Sequence, residues 1–593
     1  MSRGPEGAPG RRGTAHVRLR WLMVVVAMGL SLFGVRAFQL QGLDPKAYAA
    51  QAEAAGAVTA VLPARRGEIV DRKGGALAES VDGDMLVADP AQTKDHAAQI
   101  ARILADDIDV DYFDTLTRLE KPKSRFQYLQ RRVPSTVATA VVKKLNKAGL
   151  AGVYTKPDPL RTYPAKDVAA NLVGVQAQGR DDKGKITGGA GLESAFDHLL
   201  SGKDGKETYE VGDGNRIPLG DNSTVKPVDG KDLKLTIDRD LQWYVQRVLR
   251  NAVESSRSDS GSAVVMDTKT GQVLSLADYP TFDPNDTSTA DKSDLGSRAL
   301  QDVYEPGSVS KVLTLSSLLD EGRLTPETKL VVPPQLDIGD RTIHDWFDHP
   351  AIHLTTTGVI ARSSNIGTAL ASRQLSDEDM WQHLRSFGLG TRTEVGMPGE
   401  TRGLLPDWHG WQPINHATIA FGQGVSVNTL QMASAVNTIA NGGTYVSPSL
   451  IEGSATTDSG ETVGTDHTTS HRVISAKAAS QMAQMMEMVP NPETGTAPGA
   501  QVNGYRVSGK TGTAQRVGAD GKGYDGTFTV SFAGFAPADK PRFTVYVVVQ
   551  NPRNGGGGGS IGGPAFSKIQ TYLLQRYGVA PTGTKSAALP IDW

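Results

Sequence analysis

The sequence contains no cysteine. A chain without thiols forms no disulfide bond, has no cysteine nucleophile and builds no cysteine-ligated zinc or iron–sulfur site. None of its 11 histidines stands in a His-Glu-x-x-His pattern, so we predict neither a metal site nor a cofactor. The chain also lacks an excess of charge of either sign, with a net charge of −2, which gives no reason to expect a nucleic-acid partner.

Long hydrophobic runs are absent from nearly all of the chain. Its 593 residues exceed one ordinary domain, and 38% hydrophobic with 21% charged residues are typical of folded domains. The exception begins at Trp21, where an uncharged run extends to Val35. With Arg36 reaching the far interface, residues 21–40 are long enough for a transmembrane anchor. The arginines of the basic tail 1–20, which we predict to be disordered, place the N-terminus in the cytoplasm and the remainder outside it.

A cleaved signal peptide is the alternative interpretation of this N-terminal segment. Its basic start fits such a peptide, but no small-x-small site closes the apolar run. The nearest such site, Ala47-Tyr48-Ala49, lies well beyond the run, and a helix over 41–56 continues from the anchor. We therefore favour an anchor that is retained.

Three further segments follow the anchor. The pattern of residues 41–225 predicts a mixed α/β region with a helical stretch over His96–Leu119. A Gly-, Asp- and Lys-rich hinge is predicted at 202–232. Residues 226–578 have strand patterns at both ends and a helix-rich middle, and residues 579–593 form a tail. The strands are predicted at Leu233–Ile237, Ser262–Asp267, Gln272–Ala277, Tyr505–Ser508, Thr527–Phe535 and Arg542–Gln550. We therefore expect one sheet built from distant parts of the chain.

A candidate nucleophile stands at the start of the helix-rich part. Pro306 and Gly307 precede an apolar helical run, which places Ser308 near a helix N-terminus and Lys311 one turn further on. Free backbone N–H groups and the helix dipole stabilise an oxyanion there. A neutral amine one turn away accepts the serine proton, provided that burial or neighbouring groups keep it neutral.

Ser-x-x-Lys alone is a weak signal, since one or two chance matches are expected in a chain of this length. A second copy, Ser223 to Lys226, lies in a polar linker before Pro227, which disfavours helix at Lys226. Serine acyl transfer of this kind also requires a Ser-x-Asn and a Lys-Thr-Gly motif.

Each of these two motifs also occurs twice. Ser363-Ser364-Asn365 lies inside a predicted helical run, 357–375, whereas Ser426-Val427-Asn428 follows a loop and fits a helix cap. Lys269-Thr270-Gly271 precedes the serine and fits a hairpin turn. Lys510-Thr511-Gly512-Thr513 follows a predicted strand, and Gly512 leaves room for a ligand. The order serine, Ser-x-Asn, Lys-Thr-Gly therefore selects Ser308, Ser363 and Lys510.

With these three motifs in order, the chain resembles the penicilloyl-serine transferases, and among them the class B penicillin-binding proteins. The matching segments are Arg66–Gly74, Arg161–Pro164, Gly191–Glu193, Tyr304–Ser308, Phe421–Gly424, Ala440–Gly443, Phe532–Pro537 and Gly562–Phe566. Two departures are Lys73, where Asn is commoner, and the long glycine run Gly555–Gly559.

The resemblance implies an α+β multidomain protein. Its parts are a single transmembrane helix, a mixed α/β pedestal or dimerisation domain, and a transpeptidase domain with a central antiparallel sheet flanked by helices. It also implies roles for the site residues. Ser308 attacks the donor D-Ala–D-Ala carbonyl with Lys311 as base, Ser363 relays a proton, and Asn365 holds Lys311 and the substrate amide. The side chains of Lys510, Thr511 and Thr513 bind the terminal carboxylate beside Gly512, and the backbone N–H groups of Ser308 and Thr513 form the oxyanion hole.

The implied partners are donor and acceptor stem peptides, β-lactams, membrane lipid, a multi-pass membrane glycosyltransferase and other division proteins. The short cytoplasmic tail favours septal synthesis of an actinobacterial type. An elongation enzyme and a D,D-carboxypeptidase remain alternatives within the family. A β-lactam sensor or an inactive scaffold remains an alternative of another class.

Overall fold

The computed structural model describes residues 14–38, 57–178, 186–212, 215–216, 223–518, 521 and 523–593. The chain divides into two compact units. One comprises Met1–Pro63 and Lys203–Val228, and the other comprises Ala64–Gly202 and Asp229–Trp593.

The first unit contains one long helix, Thr14–Phe38. Its segment His16–Arg36, with a mean hydropathy of 1.6, is long and apolar enough to cross a membrane. The helix starts earlier than expected, so the prediction of disorder is wrong for residues 14–20. Arg18, Leu19 and Arg20 are good helix formers, and an existing helix extends into such residues at little cost. The helix predicted over 41–56 lies outside the described residues.

Among its other described residues, the first unit contains a small antiparallel sheet. Its strands are Ala57–Leu62, Gly205–Gly212, Asn215–Arg216 and Ser223–Val225. The first strand pairs along its whole length with the second, from Ala57 opposite Glu210 to Leu62 opposite Gly205. Ser223, the serine of the rejected Ser-x-x-Lys copy, lies exposed on a strand and not on a helix.

The N-terminal part of the second unit contains two main sheets. The four-stranded sheet has the order Leu233–Lys234, Ile69–Val70, Ala76–Val81, Leu160–Thr162, and the three-stranded sheet has the order Gln127–Pro134, Gly83–Ala88, Val153–Pro157. A short hairpin, Gln176–Gln178 and Ile186–Gly188, accompanies them. The helices are Pro90–Thr93, Ala97–Ile108, Tyr112–Leu119, Ser135–Lys147, Ala170–Val173, Gly191–Ala195 and Asp197–Ser201.

Two of these helices replace the single one predicted over His96–Leu119. Asp109 takes a left-handed conformation, with φ 53°, and ends the first helix. Asp111 then accepts a hydrogen bond from the Asp114 amide and caps the second helix. Short acidic side chains favour such caps over helix interiors, which explains the break.

A buried ionic network ties together distant segments of this part. The carboxylate of Glu193, which is not exposed at all, accepts hydrogen bonds from Arg66 at 2.6 Å and from Arg161 at 2.7 Å. Arg66 also binds Asp197 at 2.7 Å. Three of the segments that carry the family resemblance therefore meet at these side chains.

The remainder of the second unit surrounds a five-stranded antiparallel sheet. Its order is Val273–Tyr279, Ser260–Asp267, Phe543–Gln550, Tyr524–Ala536, Ser508–Val517. All eight residues of Ser260–Asp267 are buried, which requires cover on both faces of the sheet. The helices are Arg239–Ser255, Arg298–Gln301, Lys311–Asp320, Thr356–Arg362, Asn365–Ser372, Asp377–Ser386, Pro413–Ala420, Thr429–Ala440, Ala476–Met486 and Gly563–Arg576. The fold is thus α+β, as expected.

Four short two-stranded ribbons complete this part. They pair Lys329–Val332 with Ile352–Thr355, Leu336–Ile338 with Arg341–Ile343, Thr444–Val446 with Ser470–Arg472, and Ala455–Thr456 with Thr462–Val463.

The C-terminal segment has a docked end. The Thr355 amide donates to the Ile591 carbonyl at 3.0 Å, and the Trp593 ring stacks on His353 with 4.5 Å between centroids. The Lys329 amine lies 4.7 Å from the centre of the Trp593 ring. The last residues therefore cover the strand Ile352–Thr355, which directly precedes helix Thr356–Arg362.

Candidate active site

Ser308 lies on a tight 3₁₀ turn, Gly307–Ser310, that leads directly into the helix Lys311–Asp320. We call residues 306–311 the serine turn. Ser308 is half-buried, as a nucleophile that must meet a substrate requires. Gly307 has φ 53°, and a side chain at this position would lie 3.1 Å from the Thr513 carbonyl oxygen. The serine turn therefore packs directly against the strand Ser508–Val517, which we call the lysine strand.

Lys311 is fully buried one turn from Ser308. Its amine donates to the Ser363 carbonyl and to Asn365 Oδ1, each at 2.7 Å, and lies 3.4 Å from Ser363 Oγ. Burial lowers the pKa of Lys311 to about 7, against the charge of Asp345, which raises it. A substantial fraction of the amine is therefore neutral near pH 7, as a proton acceptor requires.

Ser363 and Asn365 lie at a break between two helices, so the prediction of one continuous helix is wrong. Helix Thr356–Arg362 ends at Ser363, which has φ 60°, and helix Asn365–Ser372 begins two residues later. Ser364 causes the restart, because its Oγ accepts a hydrogen bond from the Gly367 amide at 2.8 Å and caps the second helix. At this break, the Ser363 carbonyl and the side chains of Ser363 and Asn365 face Lys311.

Lys510 reaches the same point from the sheet. Its buried amine donates to Ser363 Oγ at 2.8 Å, to the Thr511 carbonyl at 3.1 Å and to Thr511 Oγ1 at 3.3 Å. Burial lowers the pKa of Lys510 well below its usual value, and the charge of Lys311 lowers it further. The hydroxyl of Ser363 thus lies between two buried amines.

The Lys-Thr-Gly motif lies within the lysine strand, although we expected it to follow a strand at 505–508. Lys510, Thr511 and Thr513 pair with Ala533, Phe532 and Val530 of the neighbouring strand. Lysine and glycine are uncommon in strands, so only this pairing makes the segment extended. The lysine strand is an edge strand of the sheet, so its other edge is not paired with any strand that the structure describes.

Hydroxyl groups continue from Lys510 along this edge. Thr511 Oγ1 lies 3.2 Å from Thr496 Oγ1, and Thr513 Oγ1 accepts from the Gly558 amide at 3.5 Å. A side chain at Gly558 would lie 3.0 Å from the Gly512 amide nitrogen, so the glycine run Gly555–Gly559 brings a second backbone close to the motif. Sequence reasoning missed Thr496, although Thr494-Gly495-Thr496 is a hydroxyl-rich turn before the motif.

The rejected motif copies have structural roles. Asn428 caps helix Thr429–Ala440 by accepting from the Gln431 amide at 2.8 Å. Lys269-Thr270-Gly271 forms the turn between strands Ser260–Asp267 and Val273–Tyr279. These observations agree with the predicted cap and hairpin turn.

The sequence analysis also missed the loop of residues 344–351, which we call the acidic loop. The side chain of Asp345 is fully buried behind Ser364, and that of His349 is 4% exposed. The available signal was an unusual density of histidine, aspartate and aromatic residues about 20 positions before Ser363.

Comparisons with known proteins agree with this geometry. The family model of the penicillin binding protein transpeptidase domain matches residues 261–571, and that of the penicillin-binding protein dimerisation domain matches residues 61–235. PbpB, a penicillin-binding protein of Mycolicibacterium smegmatis, is 35% identical over 98% of this chain and 93% of its own length. The peptidoglycan D,D-transpeptidase FtsI of Escherichia coli is 33% identical over 88% of this chain and 86% of its own.

Solved structures give the same result. A peptidoglycan synthetase from Bifidobacterium adolescentis superposes with a TM-score of 0.70 at 31% identity, covering 91% of this chain and all of the other. Penicillin-binding protein 3 of Mycobacterium tuberculosis, complexed with aztreonam, gives a TM-score of 0.68 at 31% identity, covering 90% of this chain and all of the other. The chain therefore belongs to the class B penicillin-binding proteins.

Proposed function

We propose that this chain is a serine D,D-transpeptidase that cross-links peptidoglycan stem peptides and that β-lactams acylate at Ser308. The observation that carries the proposal is the position of Ser363 Oγ, 2.8 Å from the amine of Lys510 and 3.4 Å from that of Lys311. One amine adjoins the serine turn and the other adjoins the open strand edge. The arrangement therefore joins a proton acceptor for the nucleophile to an anion site for the substrate.

The reaction follows from these positions. Ser308 Oγ forms an ester bond with the carbonyl carbon of the penultimate D-alanine, and its proton passes to neutral Lys311. Ser363 delivers a proton to the departing amine, and the C–N bond to the terminal D-alanine breaks. An acceptor amine then attacks the ester and restores the Ser308 hydroxyl.

We assign the stabilisation of the charge that develops on the carbonyl oxygen to the backbone N–H groups of Ser308 and Thr513. The close approach of Gly307 to Thr513 supports this assignment. Lys510, Thr511 and Thr513 bind the substrate carboxylate, with Gly512 leaving room for it. A bound carboxylate restores the charged form of Lys510, because it supplies the counter-charge that the buried amine lacks. A β-lactam presents the same carbonyl and carboxylate, and its ring C–N bond takes the place of the peptide bond.

The cellular setting is part of the proposal. The helix Thr14–Phe38 anchors the chain in the membrane lipid, with the N-terminus in the cytoplasm and the transpeptidase part outside it. The names of the relatives PbpB and FtsI favour septal synthesis, beside a multi-pass glycosyltransferase and other division proteins. Depletion should then give unseptated filaments, whereas swollen cells would assign the enzyme to elongation.

Covalent labelling of the full-length protein by a fluorescent penicillin tests the chemistry. Ser308→Ala should abolish labelling, because the other hydroxyl of the serine turn, that of Ser310, is fully buried. Ser223→Ala and Ser426→Ala are matched controls from the rejected motif copies and should label normally. Persistent labelling of Ser308→Ala would refute the nucleophile assignment. Release of D-alanine without cross-linked product would indicate a carboxypeptidase.

A further inference from the structure

The acidic loop, residues 344–351, connects the strands Arg341–Ile343 and Ile352–Thr355 and passes behind the Ser363 break. Its residue Asp345 has a side chain with no solvent exposure. A buried carboxylate is costly unless hydrogen bonds and an opposite charge compensate it. The hydrogen-bond partners of Asp345 therefore indicate its role.

Asp345 accepts three hydrogen bonds. Its Oδ2 accepts from Ser364 Oγ at 2.7 Å, and its Oδ1 accepts from the Ile366 amide at 3.0 Å. His349 Nε2 lies 3.1 Å from Oδ2. Two of the three donors belong to the residues on either side of Asn365, so the carboxylate holds the start of that helix.

The loop also holds the break at two further points. Asn365 Nδ2 donates to the His344 carbonyl at 3.0 Å, which orients Asn365 Oδ1 towards the Lys311 amine. Trp346 Nε1 donates to the Arg362 carbonyl at 2.8 Å. The acidic loop thus contacts the residues before and after Ser363 and fixes the conformation between them.

His349 is the third partner of the carboxylate. Its Nδ1 lies 2.6 Å from the Pro350 carbonyl oxygen, and its Nε2 faces the Asp345 carboxylate. A carboxylate only accepts hydrogen bonds, so the contact with Asp345 requires a hydrogen on Nε2. With 4% of its side chain exposed, His349 is therefore a buried hydrogen-bond donor to Asp345.

We propose that Asp345 and His349 are positioning residues that hold Ser363 and Asn365 around Lys311, and that the charge of the Asp345 carboxylate sets how readily Lys311 accepts a proton. The proposal rests on the proposed function, in which neutral Lys311 is the base. Asp345 faces Lys311 from the acidic loop, and Lys510 faces it from the lysine strand. The Asp345 charge opposes the effect of burial by raising the pKa of Lys311.

Two substitutions should separate the charge of the carboxylate from its positioning role. Asp345→Asn removes the negative charge, so Lys311 loses its proton more readily and the rising limb moves to lower pH, by about one unit. His349→Gln keeps a donor to Asp345 and leaves the carboxylate charge in place, so the rising limb should keep its position. Both variants should also lose at least about tenfold of the plateau rate, because the break is less well held.

The experiment measures the second-order rate of acylation of the full-length protein by a chromogenic cephalosporin over about pH 6 to pH 9. Asp348→Asn, at an exposed aspartate of the same loop, is the control and should leave the profile unchanged. An unshifted limb in Asp345→Asn, or an equal shift in both variants, would refute the proposal and leave Asp345 a purely structural role. If Asp345→Asn does not fold, the plateau rate of His349→Gln decides alone, and a rate within about threefold of the wild type would refute the positioning role. Failure of the proposed function is distinct, since the wild-type protein would then not be acylated at all.

Discussion

Replacing Ser363 by alanine should separate catalysis from folding at this site. The substitution removes only the hydroxyl that bridges the two amines. Lys311 retains the Ser363 carbonyl and Asn365 Oδ1, each at 2.7 Å, and Lys510 retains the two oxygens of Thr511 at 3.1 and 3.3 Å. Both buried amines therefore remain hydrogen-bonded, and alanine shares the Cβ of serine, so the strain at φ 60° is unchanged.

The hydrogen bonds that remain determine how much stability and how much acylation rate Ser363→Ala should lose. Folding loses the 2.8 Å hydrogen bond from Lys510 and the long 3.4 Å contact with Lys311 at a site that keeps its other partners, about 1 kcal/mol of the free energy of unfolding. Acylation loses its proton path, and positioned proton transfer contributes about 10²- to 10⁴-fold to a rate. The lower limit corresponds to about 2.7 kcal/mol in the activation barrier. The rate should therefore fall far more than the stability does.

The assay pairs a time course of covalent labelling by a fluorescent penicillin with a thermal melt of the same detergent-solubilised preparation. Ser426→Ala, from the other Ser-x-Asn copy, serves as the control, since its side chain lies outside the site. A folded Ser363→Ala protein that is acylated within about threefold of the wild-type rate would show that the hydroxyl is not in the proton path.

Three further predictions follow from the described contacts. The wild-type acylation rate should rise about tenfold from about pH 6 to pH 8, since Lys311, with a pKa of about 7, acts when neutral; a flat profile would contradict its role as base. Glu193→Gln should cost about 3–5 kcal/mol in the free energy of unfolding, because it leaves two buried arginines without their shared counter-charge, and an unchanged melting temperature would rule this out. Deleting residues 591–593 should cost about 2 kcal/mol by removing the Thr355 hydrogen bond and the Trp593 stacking and cation–π contacts, and a melt that matches the wild type would refute the docking of this end.

Motif order and local pattern select Ser308, Ser363 and Lys510 over the duplicate copies. In the structure, the Lys311 amine contacts Asn365 Oδ1 and Ser363 Oγ, and the Lys510 amine contacts Ser363 Oγ. Their catalytic roles and the domain boundaries remain predictions. The apolar N-terminal helix and the sheet of sequence-distant strands were also predicted, since hydrophobic periodicity is a local property.

The sequence by itself determined the residue types of this protein's chemistry, their order along the chain and the apolar N-terminal helix. Tertiary structure alone decided the conformation at two of the three motifs. Both the helix break at Ser363 and the extended conformation around Lys510 oppose the local conformational propensity of the sequence. The hydrogen bond that caps the helix at Ser364 outweighs that propensity in the first case, and pairing with the neighbouring strand outweighs it in the second. The sequence analysis missed Asp345 and His349 for a related reason. Only the tertiary fold buries their side chains behind Ser364, and no local pattern encodes the free energy of burying a carboxylate.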